Sequence, residues 1–245
     1  MAAGSVGLVG TDPPYESLEK HRAIGTTTRL KHSKASSNDW FSIFPNARFP
    51  ELFAEVYRVL KKDTHFYLYC DPETMFVAKP MAEAAGFKFW KPIIWDKCNI
   101  GMGYHYRARY ECILFFEKGK RKLNDLGVAD ILVAPRINGG YPAEKPPAIS
   151  ETLITQSTEA GQLVIDPFMG SGSVGFAAIS KGRNFLGNDL CKEAVDITRS
   201  RLLETHAVEG KLPTAEPAIA PAAQSAKGPS PTNKPGKARP DKPAG

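Results

Sequence analysis

Four consecutive residues, Asp12-Pro13-Pro14-Tyr15, place an acid, a stiff backbone and an aromatic ring directly after a short apolar run. The combination suits chemistry on an exocyclic aromatic amine. Such an amine is a poor nucleophile because its lone pair is delocalised into the ring. Two acceptors aimed at its hydrogens help the nitrogen pyramidalise and expose that pair. The Asp12 carboxylate can supply one acceptor. The Pro13 carbonyl, held by a Pro-Pro backbone of fixed φ, can supply the other. Tyr15 offers a face on which a heterocyclic base can stack. The competing reading is a strand-ending turn, where Asp, Pro and Tyr are ordinary choices.

A second run, Asp166-Pro167-Phe168-Met169-Gly170-Ser171-Gly172, joins an apolar strand to a helix. Its glycines let the backbone approach a ligand closely and present N–H groups at a helix N-terminus, an arrangement that suits a carboxylate. A glycine turn serving only strand–helix packing is the alternative. Asp189 follows at the end of the next strand. An acid there can accept hydrogen bonds from both hydroxyls of a ribose, or it can cap the following helix.

These residues need elements to hold them. Apolar runs at 6–10, 64–70, 87–96, 110–117, 162–166 and 184–189 read as strands. Helical spacing or proline-led starts mark helices at 50–61, 72–85, 147–156, 173–181 and about 192–205. The strands at 87–96 and 110–117 should pair as neighbours across a glycine-containing loop. Residues 16–46 are polar, basic and patternless, as in a mobile loop beside a site. Residues 118–142 read as irregular. Repeated strand–helix alternation predicts an α/β sheet, mostly parallel and covered on both faces. Ligands of such sheets sit beyond the carboxyl ends of the strands, where both motifs lie.

The 245 residues are 42% hydrophobic, enough for one α/β core. Residues 207–245 are rich in Pro, Ala, Lys, Ser and Gly and read as a disordered basic tail, either a solvated leash or a non-specific contact to DNA backbone. A net charge of +6 favours a polyanionic partner, weakly. Cys70, Cys98, Cys112 and Cys191 form no CxxC, so zinc and disulfide readings are poor. Reduced thiols suit a cytoplasmic protein. No apolar run is long enough to span a bilayer.

In chain order, these blocks resemble the β group of amino-methylating DNA methyltransferases, in which the catalytic motif precedes the cofactor motif. Asp12, Pro13, Pro14 and Tyr15 match that family's catalytic tetrapeptide. The leading Asp resembles the adenine-N6 branch, whereas cytosine-N4 enzymes usually begin with Ser. Asp166, Phe168, Gly170, Ser171 and Gly172 match the cofactor loop, with Phe168 at the aromatic position packed near the cofactor. Asp189 matches the ribose-binding acid. Residues 141–146 resemble a His-Pro-x-x-Lys-Pro segment with Tyr141 in place of His, which places Lys145 beside the cofactor. Residues 95–119, with Arg107, Arg109 and Glu111, resemble the family's paired strands. The likeness covers about 5–203.

The resemblance implies an S-adenosylmethionine-dependent methyltransferase fold. That is a three-layer, Rossmann-like α/β sheet, circularly permuted relative to the cofactor-first order. It implies direct transfer of methyl from S-adenosylmethionine to N6 of an adenine flipped out of double-stranded DNA, without metal or covalent enzyme intermediate. Two departures stand out. The family usually has an N-terminal edge strand and a Gly-Asp turn that help enclose the cofactor's adenine, and the eleven residues ahead of Asp12 lead us to expect a fold without them. Cys191 stands where Asp is common.

The resemblance assigns 1–206 to the methyltransferase domain, with 119–141 as a short target-recognition insert that could need a second subunit, as in a homodimer. Expected phosphate or DNA contacts are Arg22, Arg29 and Lys31 after the catalytic loop, Lys97, Arg107 and Arg109 around a hairpin with Tyr104 and Tyr106, and Lys122. For the charges of the insert the alternative is a solvated surface; for the two tyrosines it is buried packing. Rival functions are a cytosine-N4 enzyme with the same geometry and a DNA-binding relative that has lost catalysis. An RNA or protein-glutamine methyltransferase fits less well, since those relatives typically carry Asn at the Asp12 position.

Overall fold

A computed structural model describes residues 1–17, 42–101, 105–137 and 144–209. In chain order they form β1 (Val6–Thr11), α1 (Phe49–Val59), β2 (Leu60–Cys70), α2 (Pro72–Ala84), β3 (Lys88–Asp96) and β4 (Tyr110–Lys118). There follow β5 (Ile131–Val133), α3 (Pro147–Ser157), β6 (Leu163–Asp166), α4 (Ser173–Ser180), β7 (Asn184–Gly187) and α5 (Lys192–Glu209). The strands make one sheet in the order β5-β3-β4-β2-β1-β6-β7. Only β4 runs against its neighbours; every other pair is parallel.

The central strands are apolar on both faces because both are covered. Phe66, Leu68 and Cys70 of β2 join Phe53 and Val56 of α1 and Ala78 and Ala82 of α2 in one core layer. Tyr67 and Tyr69, on alternate positions, join Ile149, Leu153 and Ile154 of α3 and Ala177 and Ala178 of α4 in the other. In α1 the buried residues Phe49, Phe53, Val56 and Val59 recur at helical spacing. Each large side chain so buried contributes roughly 1.5–3 kcal/mol. The α2 start is set by Asp71, whose carboxylate accepts the Thr74 N–H at 2.8 Å, and by a proline at the first helical position.

The chain winds outward in two directions from the middle of this sheet. β1 leads through α1 to β2 on one side, and β6 leads through α4 to β7 on the other. β1 and β6 are hydrogen-bonded neighbours, Leu8 beside Val164 and Val9 beside Ile165. The crevice beyond their carboxyl ends is therefore a topological switch point, the usual binding position in open α/β sheets. Asp12 and Asp166 stand at its two lips.

Three expectations change. β2 begins at Leu60 rather than 64, taking over the last two residues assigned to the preceding helix. α5 continues to Glu209, past the expected domain limit at 206. β5 lies within the stretch expected to be irregular; three residues are too few to show an alternation, and their pairing with β3 is non-local.

The proposed recognition insert also takes an unexpected path. β4 is antiparallel, so Lys118 lies opposite Thr64, at the amino end of β2 and away from Asp12. From there the chain is pinned across that far end of the sheet. Asp63 Oδ1 accepts the Lys120 N–H at 2.8 Å, and the Asn124 N–H donates to the Gln156 carbonyl at 3.0 Å. The Arg121 carbonyl can only accept, so His65 carries its proton on Nε2, 3.0 Å away. Nδ1 of His65 then accepts from Ser157, whose oxygen accepts from Tyr67. The chain returns toward the Asp12 end only along β5. Residues 138–143 and the tail from 210 lie outside the described residues.

Candidate active site

A cavity of about 880 Å³ opens at the switch point. That is within the usual size of small-molecule sites. It brings together Asp12, Pro13, Pro14 and Tyr15 from the loop after β1 with Asp166, Phe168, Gly170 and Ser171 from the loop after β6. Asp189, Lys145 and Glu111 complete the wall. Gly172 stands behind it. Its φ of +76° suits glycine, and a Cβ there would lie 2.5 Å from Thr198 of α5, so a side chain would push that helix off the loop.

The Asp12-Pro13-Pro14-Tyr15 segment is held by its neighbours. The Phe44 N–H donates to the Pro14 carbonyl at 2.7 Å, and Tyr15 pairs with Phe44 as a short parallel bridge. No described residue donates to the Pro13 carbonyl. Tyr15 is only 8% exposed and packs into the α1/α2 core layer, so most of the ring face expected to stack on a base is covered. Burial, reinforced by the Asp12 charge, pushes its hydroxyl pKa well above the ordinary value.

Asp12 uses its two oxygens differently. Oδ2 makes an ion pair with Lys145 Nζ at 2.6 Å. Oδ1 is buried and has no aligned hydrogen-bond partner among the described residues, although the Tyr15 hydroxyl is near enough to the carboxylate to help lower its pKa. Desolvation raises the Asp12 pKa; Lys145 opposes the rise and Glu111 adds to it. Lys145 thus sits against Asp12, not only beside the expected cofactor position. Its Nζ also lies 3.1 Å from Glu111 Oε2, an ionic contact without an aligned hydrogen bond. The rings of Tyr69 and Trp95 flank it at 5.8 and 6.0 Å. Glu111 Oε1 in turn meets Lys97 Nζ at 3.4 Å. Sequence reasoning did not place Glu111 in the site, although a carboxylate near the start of the apolar strand Tyr110–Lys118, the end that lies toward Asp12, was a visible signal.

The second motif is braced from inside. Asp166 Oδ1 accepts the Thr11 hydroxyl at 2.6 Å and the Phe168 N–H at 3.0 Å. Burial pushes its pKa up to about 7. Asp189 Oδ2 accepts the Gly170 N–H at 2.9 Å, and Oδ1 accepts the Cys191 N–H at 2.8 Å. Asp189 therefore does cap local backbone, and it occupies one of the amides expected to meet a ligand. Each oxygen keeps a second lone pair. Thr198 and Arg201 of α5 donate to the Gly170 and Ser171 carbonyls at 2.9 and 2.8 Å, fixing the loop. Phe168 meets Phe44 edge-on at 5.1 Å, joining the two motifs across the cavity.

The expected DNA contacts separate. Arg109 makes a bidentate pair with Asp96 at 2.7 and 2.8 Å across the base of the β3–β4 hairpin, and Lys97 is turned inward to Glu111. Arg107 and Tyr106 are exposed on that hairpin loop, at the Asp12 end of the sheet; this exposure excludes buried packing for Tyr106. Lys122 is exposed at the opposite end and is not brought to the site. Arg22, Arg29, Lys31 and Tyr104 lie outside the described residues.

Fold and cavity together define a Rossmann-like methyltransferase sheet with an acidic, proline-stiffened loop at its switch point. The DNA methylase family model for N6 and N4 methyltransferases matches residues 6–200, and the chain belongs to that family. DNA adenine methyltransferase YhdJ of Escherichia coli K12 is 27% identical over 243 residues, covering 82% of this chain and 78% of that one. The crystal structure of the M1.HpyAVI–SAM complex superposes with a TM-score of 0.60 at 23% identity, over 81% of this chain and 90% of that chain. The cytosine-N4-specific PvuII DNA methyltransferase also gives 0.60, at 16% identity, over 90% of this chain and 83% of that chain.

Proposed function

We propose that the protein methylates N6 of adenine in double-stranded DNA, with S-adenosylmethionine as methyl donor. The observation that carries this reading is Asp12. Its Oδ2 is committed to Lys145, and its Oδ1 is a buried acceptor with no aligned donor among the described residues, in a residue lining a cavity of ligand size. An unsatisfied buried acceptor is costly unless a ligand supplies the missing hydrogen.

The lining suits the cofactor. Asp189 retains acceptor capacity for ribose hydroxyls, Asp166 for an ammonium group, and the start of α4 favours a carboxylate. Phe168 presents a partly buried ring beside them. S-adenosylmethionine, when bound, supplies an electrophilic methyl group on a sulfonium. The protein's own part is to prepare the amine. Asp12 Oδ1 and the Pro13 carbonyl accept its two hydrogens, and the nitrogen lone pair is thereby directed out of the ring plane. Proximity in the cavity supplies much of the rate. An amine inside a duplex cannot reach this recess, so the base must leave the stack.

The family covers both amines, and cytosine-N4 transfer would use the same acceptors. Methylation by purified protein with radiolabelled S-adenosylmethionine, followed by digestion to nucleosides, separates the two. Label in N6-methyladenine is expected; label confined to N4-methylcytosine would overturn the base assignment.

A further inference from the structure

Four charged side chains alternate in sign along the floor of the site: Asp12, Lys145, Glu111 and Lys97, with successive separations of 2.6, 3.1 and 3.4 Å. They come from the loop after β1, the segment before α3, the start of β4 and the end of β3. Only 9% of the Lys145 side chain is exposed. Between the rings of Tyr69 and Trp95 its ammonium has two carboxylates as partners.

We propose that Lys145 and Glu111 are positioning residues for methyl transfer. Lys145 holds Asp12 Oδ2, so that Oδ1 is the oxygen left for the amine, and Glu111 holds Lys145. The proposal rests on the reading of Asp12 given above and replaces a purely cofactor-binding role for Lys145.

The two carboxylates have different surroundings. Glu111 faces two ammonium groups, which hold it below its ordinary pKa despite burial. Asp12 is raised by burial, faces one ammonium group among the described residues, and feels the Glu111 charge as well. Environments that push two acids apart divide their roles. Glu111 stays an anion, and Asp12 is the one able to take a proton. Once the amine nitrogen carries the methyl group, it gives a proton to Asp12 Oδ1, and the electron pair of that N–H bond returns to nitrogen. Among the described residues, the titratable neighbours of Asp12 are Tyr15 on its own loop, Tyr69 and Cys70 on β2, Glu111 on β4, Asp166 on β6 and Lys145. Lys145 is the one cation among them, so the pair Lys145 and Glu111 sets how basic Asp12 is.

Two variants test this with opposite signs. Lys145→Met removes the cation, so Asp12 should protonate at higher pH. The acid limb of kcat against pH then moves up by about one unit or more. Glu111→Gln removes an anion and leaves the Lys145 charge wholly to Asp12, so the limb moves down. Carboxyl NMR of ¹³C-aspartate-labelled protein, with the Asp12 signal assigned through Asp12→Asn, reads the same two shifts without cofactor, DNA or turnover. Opposite shifts support the proposal; shifts of one sign, or none, overturn it. Weaker S-adenosylmethionine binding in Lys145→Met with an unchanged pH profile also overturns it, returning Lys145 to the cofactor. Failure of the functional reading looks different: wild-type protein methylates neither base, while the opposite NMR shifts persist.

Discussion

Thr11 and Asp166 are 155 positions apart in sequence, yet the Thr11 hydroxyl donates to Asp166 Oδ1 at 2.6 Å. The bond ties the last residue of β1 to the last residue of β6 at the point where the two windings of the sheet diverge. It sets the Asp12 loop and the glycine loop at a fixed spacing, because each begins at one end of this contact. A buried carboxylate is an expensive way to make that tie. Asp166 is 3% exposed, and burial lifts its pKa from 3.8 to about 7.

Replacing Asp166 by Asn should reveal that cost. In the unfolded chain the carboxyl ionises near its ordinary value; in the native state it holds its proton up to about pH 7. The native state therefore binds more protons between these values. The stability this gives is complete below about pH 4 and is lost as pH rises through about 7. A shift of this size corresponds to about 4 kcal/mol at most. Asn keeps an acceptor for Thr11 and Phe168 and cannot ionise. The Tm of Asp166→Asn relative to wild type should thus increase between pH 5 and pH 8. A difference that stays flat across that range would sink the argument.

Asp12→Ala should lower single-turnover methyl transfer by roughly a hundredfold or more, the scale of a lost oriented acceptor in a preorganised site. S-adenosylmethionine affinity, measured by calorimetry, should change little, because Asp12 belongs to the amine side of the cavity. The substitution also leaves Lys145 with Glu111 alone. Near-normal turnover would show that the catalytic assignment is wrong.

What the sequence disclosed followed from how local each feature is. Asp12 to Tyr15 and Asp166 to Gly172 are contiguous, so residue type and order were enough to find them, and strand–helix alternation placed both at the carboxyl ends of strands. Partnerships were not legible. The charges of Lys97 and Arg109 suggested DNA, but their partners Glu111 and Asp96 are set by strand register, and both cations are committed within the protein. Glu111 itself gains meaning only from Lys145 and Lys97, each on another element. The path of residues 119–124 was accessible in principle: strands 87–96 and 110–117 were expected to pair, and a short connection makes them antiparallel. The second must then end away from the site, taking Lys122 with it.

Asp189→Ala should weaken S-adenosylmethionine binding, and for two physical reasons. It removes acceptors for ribose hydroxyls, and it releases the Gly170 and Cys191 amides that the carboxylate now holds. A loss of about 10–100-fold in affinity is expected, with kcat at saturating cofactor much less affected. Equal affinity in variant and wild type would leave Asp189 as a helix cap and nothing more.

Arg107 and Lys122 provide a paired test of which end of the sheet meets DNA. Each counter-ion released on phosphate contact adds close to one unit to the slope of log affinity against log salt. Arg107 is exposed on the β3–β4 loop at the Asp12 end, and no partner within the described residues holds it. Arg107→Ala should weaken duplex binding and reduce the slope by about one. Lys122 lies at the far end, beside the backbone pinned to Asp63 and Gln156. Lys122→Ala should leave both affinity and slope unchanged. Fluorescence anisotropy of a labelled duplex over a salt series measures both quantities. The reverse pattern, a slope that falls with Lys122 and not with Arg107, would put the DNA at the wrong end of the sheet for Asp12 to reach a base.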